Sequence, residues 1–469
     1  MSRVLGFGGL GARLAFGTVG ELVRRQFVQI AEDNTKRAVL SDGNMDALAS
    51  TLCRMRGAAL KLGQMLSMAD NTLVPKELTE ALDRVRQHAD RMPEPQLNET
   101  MENELGGMWR DRFVQFDDMP LAAASLGQVH RAKCVNGEQE DQDQQDQQDQ
   151  QDQQDQQEEL DVVVKVQYPG VADSIDSDIE NVMRLVRWTN FAPKGLYIDE
   201  VMRVARKELK LECDYVHEAK MQEEYHSLLY GEEQEMARNQ HHMMNGIDVQ
   251  FVVPRVQHEL STERVLTSEW VRGVPLDQVS SLDQTTKDDV GSALLWLTMT
   301  ELFDWRFMQT DPNWGNFLYD EETSTIGLID FGAARPFDSD FTDQYLRLVW
   351  GSAERDEEMV VDASVKLGFL TGDESRSMVE AHLAAAYAIG EPFALVEGEK
   401  YNFYQSDLTE RVTKHLHVFG RERLRPPPED AYALHRKLAG SFMACIRLGS
   451  KVECRPLLRD LYQARWGSD

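Results

Sequence analysis

The sequence Asp311-Pro-Asn-Trp-Gly-Asn316, followed fourteen residues later by Asp330-Phe-Gly332, decides the fold of this chain. Asp311 and Asn316 have the spacing that places an acid beside a reacting hydroxyl and an amide oxygen on Mg²⁺. Asp330 follows a predicted apolar strand and supplies a second hard oxygen ligand. Because Mg²⁺ takes few protein oxygens and completes its shell with phosphate and water, the pattern predicts the metal side of a Mg-ATP site.

The competing interpretation of this stretch is a β-hairpin in which the loop Asp and Asn side chains only form turns. An Asp-Phe-Gly string alone carries little weight, since so short a string recurs by chance. The Asp–Asn spacing, the short gap from Phe317 to Ile329 and the apolar strand before Asp330 occur together. That combination favours the catalytic loop of a protein-kinase type of fold.

Composition bounds the class of protein. The 469 residues, 42% of them hydrophobic, suffice for two or three domains with a sizeable core. The formal net charge of −30 argues against nucleic acid as the main partner. Residues 138–161 hold eleven acids and no base, so the rest of the chain carries about −19. Five scattered cysteines without a Cys-x-x-Cys pair argue against a zinc site or a disulfide framework.

Residues 1–26 form a Gly-rich apolar segment that we expect to associate with a membrane. The stretch Val4–Val23 is about as long as a bilayer crossing requires. Gly8 and Ala12 fall on one helical face, where a second helix could approach closely. Arg13 is costly at mid-membrane, so lying on the membrane is favoured over spanning it. No cleavable transit or signal peptide is visible.

The remaining chain divides into three predicted parts. Residues 27–112 form a helical extension, residues 113–275 alternate strands with a helical stretch, and residues 276–469 are mostly helical. This is the order of the small and large lobes of a kinase. The predicted helices of the extension are Phe27–Leu40, Met45–Met68, Lys76–Gln87 and Gln96–Leu105. The predicted strands include Val162–Val166, Val249–Pro254, Glu263–Val271, Phe317–Tyr319 and Thr325–Ile329.

A near-perfect Asp-Gln-Gln repeat at residues 136–160 interrupts a predicted β-hairpin that extends from Phe113 to Tyr168. The tract Asn136–Glu159 contains no apolar residue and cannot contribute to a core. We therefore predict a disordered insertion in the hairpin.

Lys165, in Val162-Val-Val-Lys165-Val, is one cation in an otherwise apolar predicted strand. It can hold the α- and β-phosphates of a nucleotide, although a surface lysine at a strand edge is the simpler interpretation. A phosphate-binding lysine needs a carboxylate partner. We predict a helical stretch through this region, with Asp214 and Glu218 on one face. Either Glu212 or Glu218 pairs with Lys165, and Glu218 is preferred.

The Gly-rich loop expected between the first two strands is missing. Its place reads Leu121-Ala-Ala-Ala-Ser125. Alanines restrict the approach of backbone amides to phosphates, so we expect the nucleotide to be held differently than in a protein kinase. Ser125 and the backbone of Ala122, Ala123 and Ala124 would still lie near the phosphates.

The string Gly57-Ala-Ala-Leu-Lys61-Leu-Gly63-Gln64 lies on a predicted helix. Lys61 and Gln64 share one face, and Gly63 permits close packing against another element. By spacing alone this is an ordinary amphipathic helix.

Together and in order, several strings resemble the UbiB/ADCK family of atypical protein-kinase-like proteins, particularly its mitochondrial members for ubiquinone (coenzyme Q) biosynthesis. The resemblance covers nearly the whole chain, and the Asp-Gln-Gln insertion departs from it. The strings are Lys61-x-Gly63-Gln64, Ala122–Ala124, Val164-Lys165-Val-Gln-Tyr-Pro-Gly170, Glu212-Cys-Asp214-Tyr and Asp311-Pro-Asn-Trp-Gly-Asn316.

The resemblance implies a role for each matching residue in the helical extension and small lobe. Lys61 and Gln64 would lie on a helix folded over the active site. Glu212 and Asp214 would engage Lys61. Lys165 would hold phosphates while Glu218 orients it.

For the nucleotide itself, the resemblance implies that Glu269 to Val271 form the hinge facing adenine. Ala124 would be the key position of the alanine loop. Asp311 would be the catalytic-loop acid, with Asn316 and Asp330 on Mg²⁺. Gln309-Thr310 stands where a protein kinase has His-Arg, which puts activation-loop regulation in doubt.

The implied architecture is an α+β bilobal kinase-like fold with the helical N-terminal extension packed over the active site. The implied activity is Mg²⁺-dependent ATP binding and slow hydrolysis, promoted by cardiolipin-like membrane lipids and phenolic quinone precursors. It would support the ubiquinone-biosynthetic protein complex on the matrix side of the mitochondrial inner membrane, and a homodimer is compatible with it. A helix over the active site disfavours phosphorylation of proteins in trans.

Two other functions remain open at this point. The chain could be a nucleotide-binding scaffold without essential turnover, or a kinase for a small molecule or lipid. The intact Lys165, Asp311, Asn316 and Asp330 argue against an inactive pseudokinase.

Overall fold

The computed structural model describes residues 91–123, 126–135, 159–189, 198–231, 247, 249–279, 282–311 and 313–467. Several predictions lie outside these residues: the segment 1–26, the predicted helices before Arg91, and the insertion up to residue 158. No helix within the described residues combines the length and apolar character that a bilayer crossing requires.

The smaller lobe contains an antiparallel sheet with helices beside it. Its elements, in chain order, are α1 Glu94–Leu105, β1 Gln115–Phe116, β2 Ala122–Ala123, β3 Gly127–Val135, β4 Glu159–Gln167, α2 Val171–Thr189, α3 Ile198–Glu212, α4 Tyr215–Tyr230 and β6 Val265–Glu269. Two short strands on either side of β6 in the chain, β5 Gln250–Val252 and β7 Val274–Pro275, pair instead with strands of the larger lobe. The predicted hairpin is confirmed as β3 and β4, which pair antiparallel on either side of the insertion.

The sheet of this lobe has one buried face and one face that carries Lys165. Its strand order is β1-β3-β4-β6, with β2 also paired to β3. Val162, Val164 and Val166 of β4 are fully buried on one face and share a core with α1. Burying such a side chain contributes about 1.5–3 kcal/mol. Side chains alternate along a strand, so Lys165 points to the opposite face.

The larger lobe is mostly helical. Its elements are α5 Gln284–Phe303, β8 Phe307–Gln309, β9 Phe317–Asp320, β10 Thr325–Leu328, β11 Ala334–Pro336, α6 Ser339–Glu354, α7 Glu357–Lys366, α8 Arg376–Gly390, β12 Tyr401–Asn402, α9 Leu408–Thr413, α10 Leu416–Glu422, α11 Glu429–Leu448, β13 Lys451–Val452 and α12 Arg455–Trp466. Helix α5 begins where the side chain of Asp283 accepts a hydrogen bond from the backbone of Thr286.

Short strands hold the two motifs of the larger lobe in place. Strand β8, just before Asp311, pairs antiparallel with β11, just after the Asp-Phe-Gly turn. Strands β9 and β10 form the hairpin between the motifs, and β10 also pairs with β5. The predicted strands at this hairpin are therefore confirmed, whereas β8 and β11 were missed because a three-residue strand shows no periodicity. The fold is α+β and kinase-like, as predicted.

The prediction that Asp214 and Glu218 lie within one helix is wrong, because Asp214 lies just before the helix that carries Glu218. Helix α3 ends at Glu212, and α4 begins at Tyr215. Asp214 instead has extended backbone angles and accepts a hydrogen bond from the backbone of His217 at 2.9 Å. The short polar side chain of an Asp competes with helix continuation and favours the N-cap position, and that preference overrode the apolar periodicity.

Gly127, in β3, lies so close to the backbone of β4 that there is no room for a side chain at this position. A Cβ placed there would lie 2.3 Å from the backbone oxygen of Val166 and 3.0 Å from the hydroxyl of Tyr215. We expect Gly127→Ala to lower the free energy of unfolding by about 1–3 kcal/mol, because β4 must shift. Gly107→Ala is the control, since nothing lies within 4 Å of a Cβ there. Equal urea midpoints for the two variants would contradict the predicted clash.

His382, in α8, is a half-buried histidine whose Nε2 lies 2.8 Å from the hydroxyl oxygen of Ser364 and whose ring lies near Phe369. Burial, together with the charge of Arg423, lowers the pKa of His382 to about 4. Between pH about 6.5 and pH about 4 the unfolded chain therefore binds a proton that the native state does not bind. The free energy of unfolding consequently falls as the pH falls through this range.

We expect His382→Phe to reduce the loss of unfolding free energy between pH 7 and pH 4 by about 1–3 kcal/mol. Urea unfolding at several pH values measures it, with the exposed His417→Asn as control. The same pH dependence in wild type and His382→Phe would show that the pKa of His382 is the same in the native and unfolded states.

Candidate active site

An ion pair between Lys165 and Glu218 lies at the centre of the site. Lys165 Nζ lies 2.7 Å and 2.8 Å from the two carboxylate oxygens of Glu218. Lys165 lies near the end of β4, and Glu218 lies in the first turn of α4. The Glu218 side chain is 1% exposed and that of Lys165 is 17% exposed. Of the two predicted partners, Glu218 therefore contacts the lysine.

Burial and charge set the protonation of this pair. Burial raises the pKa of Glu218, against the opposing effect of Lys165. Burial also disfavours the charge of Lys165, but Asp330 and Glu218 outweigh it and raise the lysine pKa well above its usual value. The ammonium group lies 5.0 Å from the ring centroid of Tyr215, which adds a cation–π contact. Lys165 is thus held as a cation that interacts with two carboxylates, those of Glu218 and Asp330.

Asp214 and Glu212 flank this pair. Asp214 caps α4 and thereby sets the helix start that directs Glu218 at β4. Glu212, the last residue of α3, is 8% exposed, and its charge contributes to the raised pKa of Glu218. Lys61 and Gln64, predicted to engage these acids, lie outside the described residues.

A cation from the larger lobe faces the acids of this region. The guanidinium of Arg436, in α11, donates two hydrogen bonds to Glu208, at 3.0 Å and 2.9 Å. Burial disfavours the charge of Arg436, but Glu208, Asp311 and Glu212 raise its pKa. The charge of Arg436 is therefore stabilised both by Asp311 and by the acids at the end of α3.

The loop from Asp311 to Asn316 is stabilised by hydrogen bonds of its own side chains. Asp311 Oδ1 accepts a hydrogen bond from the backbone of Asn313 at 3.3 Å. Asn316 Nδ2 donates to Asp311 Oδ2 at 3.5 Å, and Asn313 Nδ2 donates to Asn316 Oδ1 at 3.4 Å. Asp311 and Asn316 are thus adjacent, as their spacing predicts.

The Asp-Phe-Gly turn adjoins the ion pair. Asp330 Oδ1 accepts from the backbone of Gly332 at 3.2 Å. A Cβ placed at Gly332 would lie 3.4 Å from Glu218 Oε2 and 3.7 Å from Asp330 Oδ1, so these carboxylates flank the glycine. Gln309 Nε2 donates to the backbone oxygen of Asp330 at 3.1 Å. Gln309, which stands at the His position of a kinase, therefore holds the turn.

The oxygen donors fit a magnesium–nucleotide complex. The Asn316 amide and the Asp330 carboxylate are hard ligands of the kind Mg²⁺ prefers, and Lys165 supplies a cation for phosphate. Within the described residues, no group of three or more His, Cys, Asp or Glu side chains is placed to hold a metal ion. A pair of oxygen ligands supplemented by phosphate and water does not require such a group.

The structure describes some of the residues that were predicted to contact adenine and phosphate. Ala122 lies in β2 opposite Val129, which in turn lies opposite Lys165, so Ala122 shares the face of Lys165. Ala123 lies on the other face, and Ala124 and Ser125 lie outside the described residues. Glu269 Oε2 accepts from the backbone of Arg255 at 3.0 Å.

Val271, the other predicted hinge residue, packs against the glycine of β10. A Cβ at Gly327 would lie 2.2 Å from Val271 Cγ1. This packing fixes the chain between the two lobes beside the β9–β10 hairpin.

Sequence reasoning missed a buried ion pair between Glu301 and Lys437, which lies behind the predicted metal ligands Asn316 and Asp330. Glu301 is an acid inside the apolar stretch Leu294–Phe303 of α5, and such an acid is almost never fully buried without a partner. That was the available signal for Glu301. Lys437 gave none, because cations are frequent on amphipathic helices.

Known proteins resemble this chain over its whole length. Residues 84–140 and 153–364 match the ABC1 atypical kinase-like domain. "Atypical kinase COQ8B, mitochondrial" of Rattus norvegicus is 39% identical over 469 residues, which cover 100% of this chain and 81% of the relative. "Atypical kinase COQ8, mitochondrial" of Saccharomyces cerevisiae is 36% identical over 465 residues, 98% of this chain and 84% of the relative.

A solved structure supports the fold. The complex of Rv3197 with erythromycin from Mycobacterium tuberculosis aligns with a TM-score of 0.56 at 23% identity, covering 92% of this chain and 98% of that one. The sequence matches carry the family assignment, since they extend over both lobes and the site described above. The chain belongs to the ABC1 atypical kinase-like family.

Proposed function

We propose that this protein is an atypical kinase-like ATPase that binds Mg-ATP between its lobes and hydrolyses it slowly. The observation that carries the proposal is the Lys165–Glu218 ion pair, closed at 2.7 Å and adjoining Asp330. An ATP site of the kinase type needs this pair and the Asp of the Asp-Phe-Gly turn in place at the same time.

Each residue would have a distinct task in this site. Lys165 would bind phosphate oxygens while Glu218 fixes its direction. Asn316 and Asp330 would hold Mg²⁺, which when bound neutralises phosphate charge. Asp311 would accept a hydrogen bond from the attacking water or hydroxyl. The alanines near β2 and a helix carrying Lys61 and Gln64 would disfavour a peptide acceptor, so water is the favoured one.

The names of the relatives support a biological setting for this activity. We propose a mitochondrial protein that supports ubiquinone biosynthesis on the matrix side of the inner membrane. Its proposed partners are cardiolipin-like lipids, quinone precursors and the ubiquinone-biosynthetic protein complex, with a homodimer as the proposed assembly. The apolar, Gly-rich residues 1–26 agree with work at a membrane surface.

Asp330→Asn should lower ATP turnover by at least about tenfold, because it removes a charged metal ligand. Phosphate release from Mg-ATP measures it, with Asp373→Asn, an exposed acid of the larger lobe, as the control. Turnover unchanged by Asp330→Asn would contradict the proposed site.

Liposomes containing cardiolipin should stimulate turnover of the wild type and leave Asp330→Asn inactive. In the same reactions, a phosphorylated lipid or quinone precursor would indicate a kinase instead. Mg-ATP binding without turnover under every condition would indicate a scaffold.

A further inference from the structure

A second buried ion pair lies directly behind the proposed metal ligands. Lys437 Nζ, from α11, lies 2.8 Å from Glu301 Oε2, from α5. The side chains are 3% and 0% exposed. Burial raises the pKa of Glu301, and Lys437 opposes that effect.

Such a pair is a poor device for stability alone. Removing two charges from water costs several kcal/mol per ion, and apolar side chains of similar volume often stabilise a core as well or better. The contacts of the pair therefore indicate what else it does.

Glu301 connects the two halves of the nucleotide site. Its Oε1 accepts a hydrogen bond from the hydroxyl of Tyr225 at 2.8 Å and from the backbone of Gln309 at 3.2 Å. Tyr225 lies seven residues after Glu218 in α4, which is two helical turns along the same face. Gln309 in turn donates to the backbone oxygen of Asp330.

The same side chains enclose a small cavity next to the metal ligands. Glu301, Gln309, Asn316, Asp330 and Lys437 all contribute to its wall. Gln309 Oε1 is buried and accepts no hydrogen bond from the described residues. The ion pair thus lines the same cavity as the proposed metal ligands Asn316 and Asp330.

We infer that the Glu301–Lys437 pair is a positioning device for Mg²⁺ in the proposed nucleotide site. Lys437 provides the opposite charge that Glu301 needs inside the protein, and Glu301 holds α4, which carries Glu218, in register with Gln309 and Asp330. Lys437 is then a positioning residue and touches no substrate. This inference rests on the proposed function, because it assumes that Asn316 and Asp330 bind the metal of a nucleotide.

The test must separate positioning from simple stabilisation. In the double variant Glu301→Leu/Lys437→Met both charges and the acceptor of Tyr225 and Gln309 are removed, the volumes stay similar and no buried charge is left unpaired. We expect it to fold. A purely structural pair, once replaced in this neutral way, would leave metal-dependent binding intact.

The measurement is the affinity of the full-length chain for ATP by calorimetry, with Mg²⁺ and with EDTA. We expect the double variant to keep its Mg²⁺-free affinity, which depends on Lys165, within about twofold. The gain in affinity that Mg²⁺ provides should shrink by at least about tenfold, the effect typical of residues that support metal ligands. A folded double variant with the full gain would overturn the inference.

Two further variants complete the design. Gln309→Leu leaves the ion pair but removes the hydrogen bond to Asp330, so it should also lose most of the affinity that Mg²⁺ adds. A folded Gln309→Leu in which Mg²⁺ still provides the full gain in affinity would overturn the inference, even if the double variant failed to fold. Arg411→Met is the control, because its ion pair with Glu391 lies among the C-terminal helices. A wild type without any Mg²⁺ gain would instead overturn the proposed function, and the inference with it.

Discussion

The ion pair between Lys165 and Glu218 is the contact on which the rest of the site depends. It joins the central strand of the small lobe to α4, and the Asp-Phe-Gly turn lies directly against its carboxylate. Because both partners are largely removed from water, losing one would leave the other uncompensated in a poorly solvated place. The geometry of the cleft is therefore tied to the electrostatics of this pair.

The larger lobe supports that pair through charges on α11. Arg436 faces the acids at the end of α3, and Lys437, the next residue, neutralises Glu301. Adjacent positions on a helix point about 100° apart, so one helix supplies cations to two different surroundings. Helix α11 thus contributes to a site whose recognisable motifs all lie earlier in the chain.

The sequence predicted those features that depend on local spacing. Asp311, Asn316 and Asp330 were recognisable because their chemistry requires fixed intervals, and Lys165 because it is a cation in an apolar strand. The choice of Glu218 over Glu212 was left open, since it depends on where α4 begins. Glu301 and Lys437 are 136 residues apart, so only the packing of α5 against α11 brings them together. Contacts of that separation leave no local signature.

The most direct test of the central claim is a double-mutant cycle on the ion pair, with Mg-ATP affinity as the measurement. Lys165→Met and Glu218→Gln should each weaken binding, and the double variant should bind no more weakly than Lys165→Met. That result corresponds to a coupling energy of about 1 kcal/mol or more between the two residues. Additive effects, or unchanged affinity in Lys165→Met, would contradict the claim that the pair forms the phosphate side of a nucleotide site.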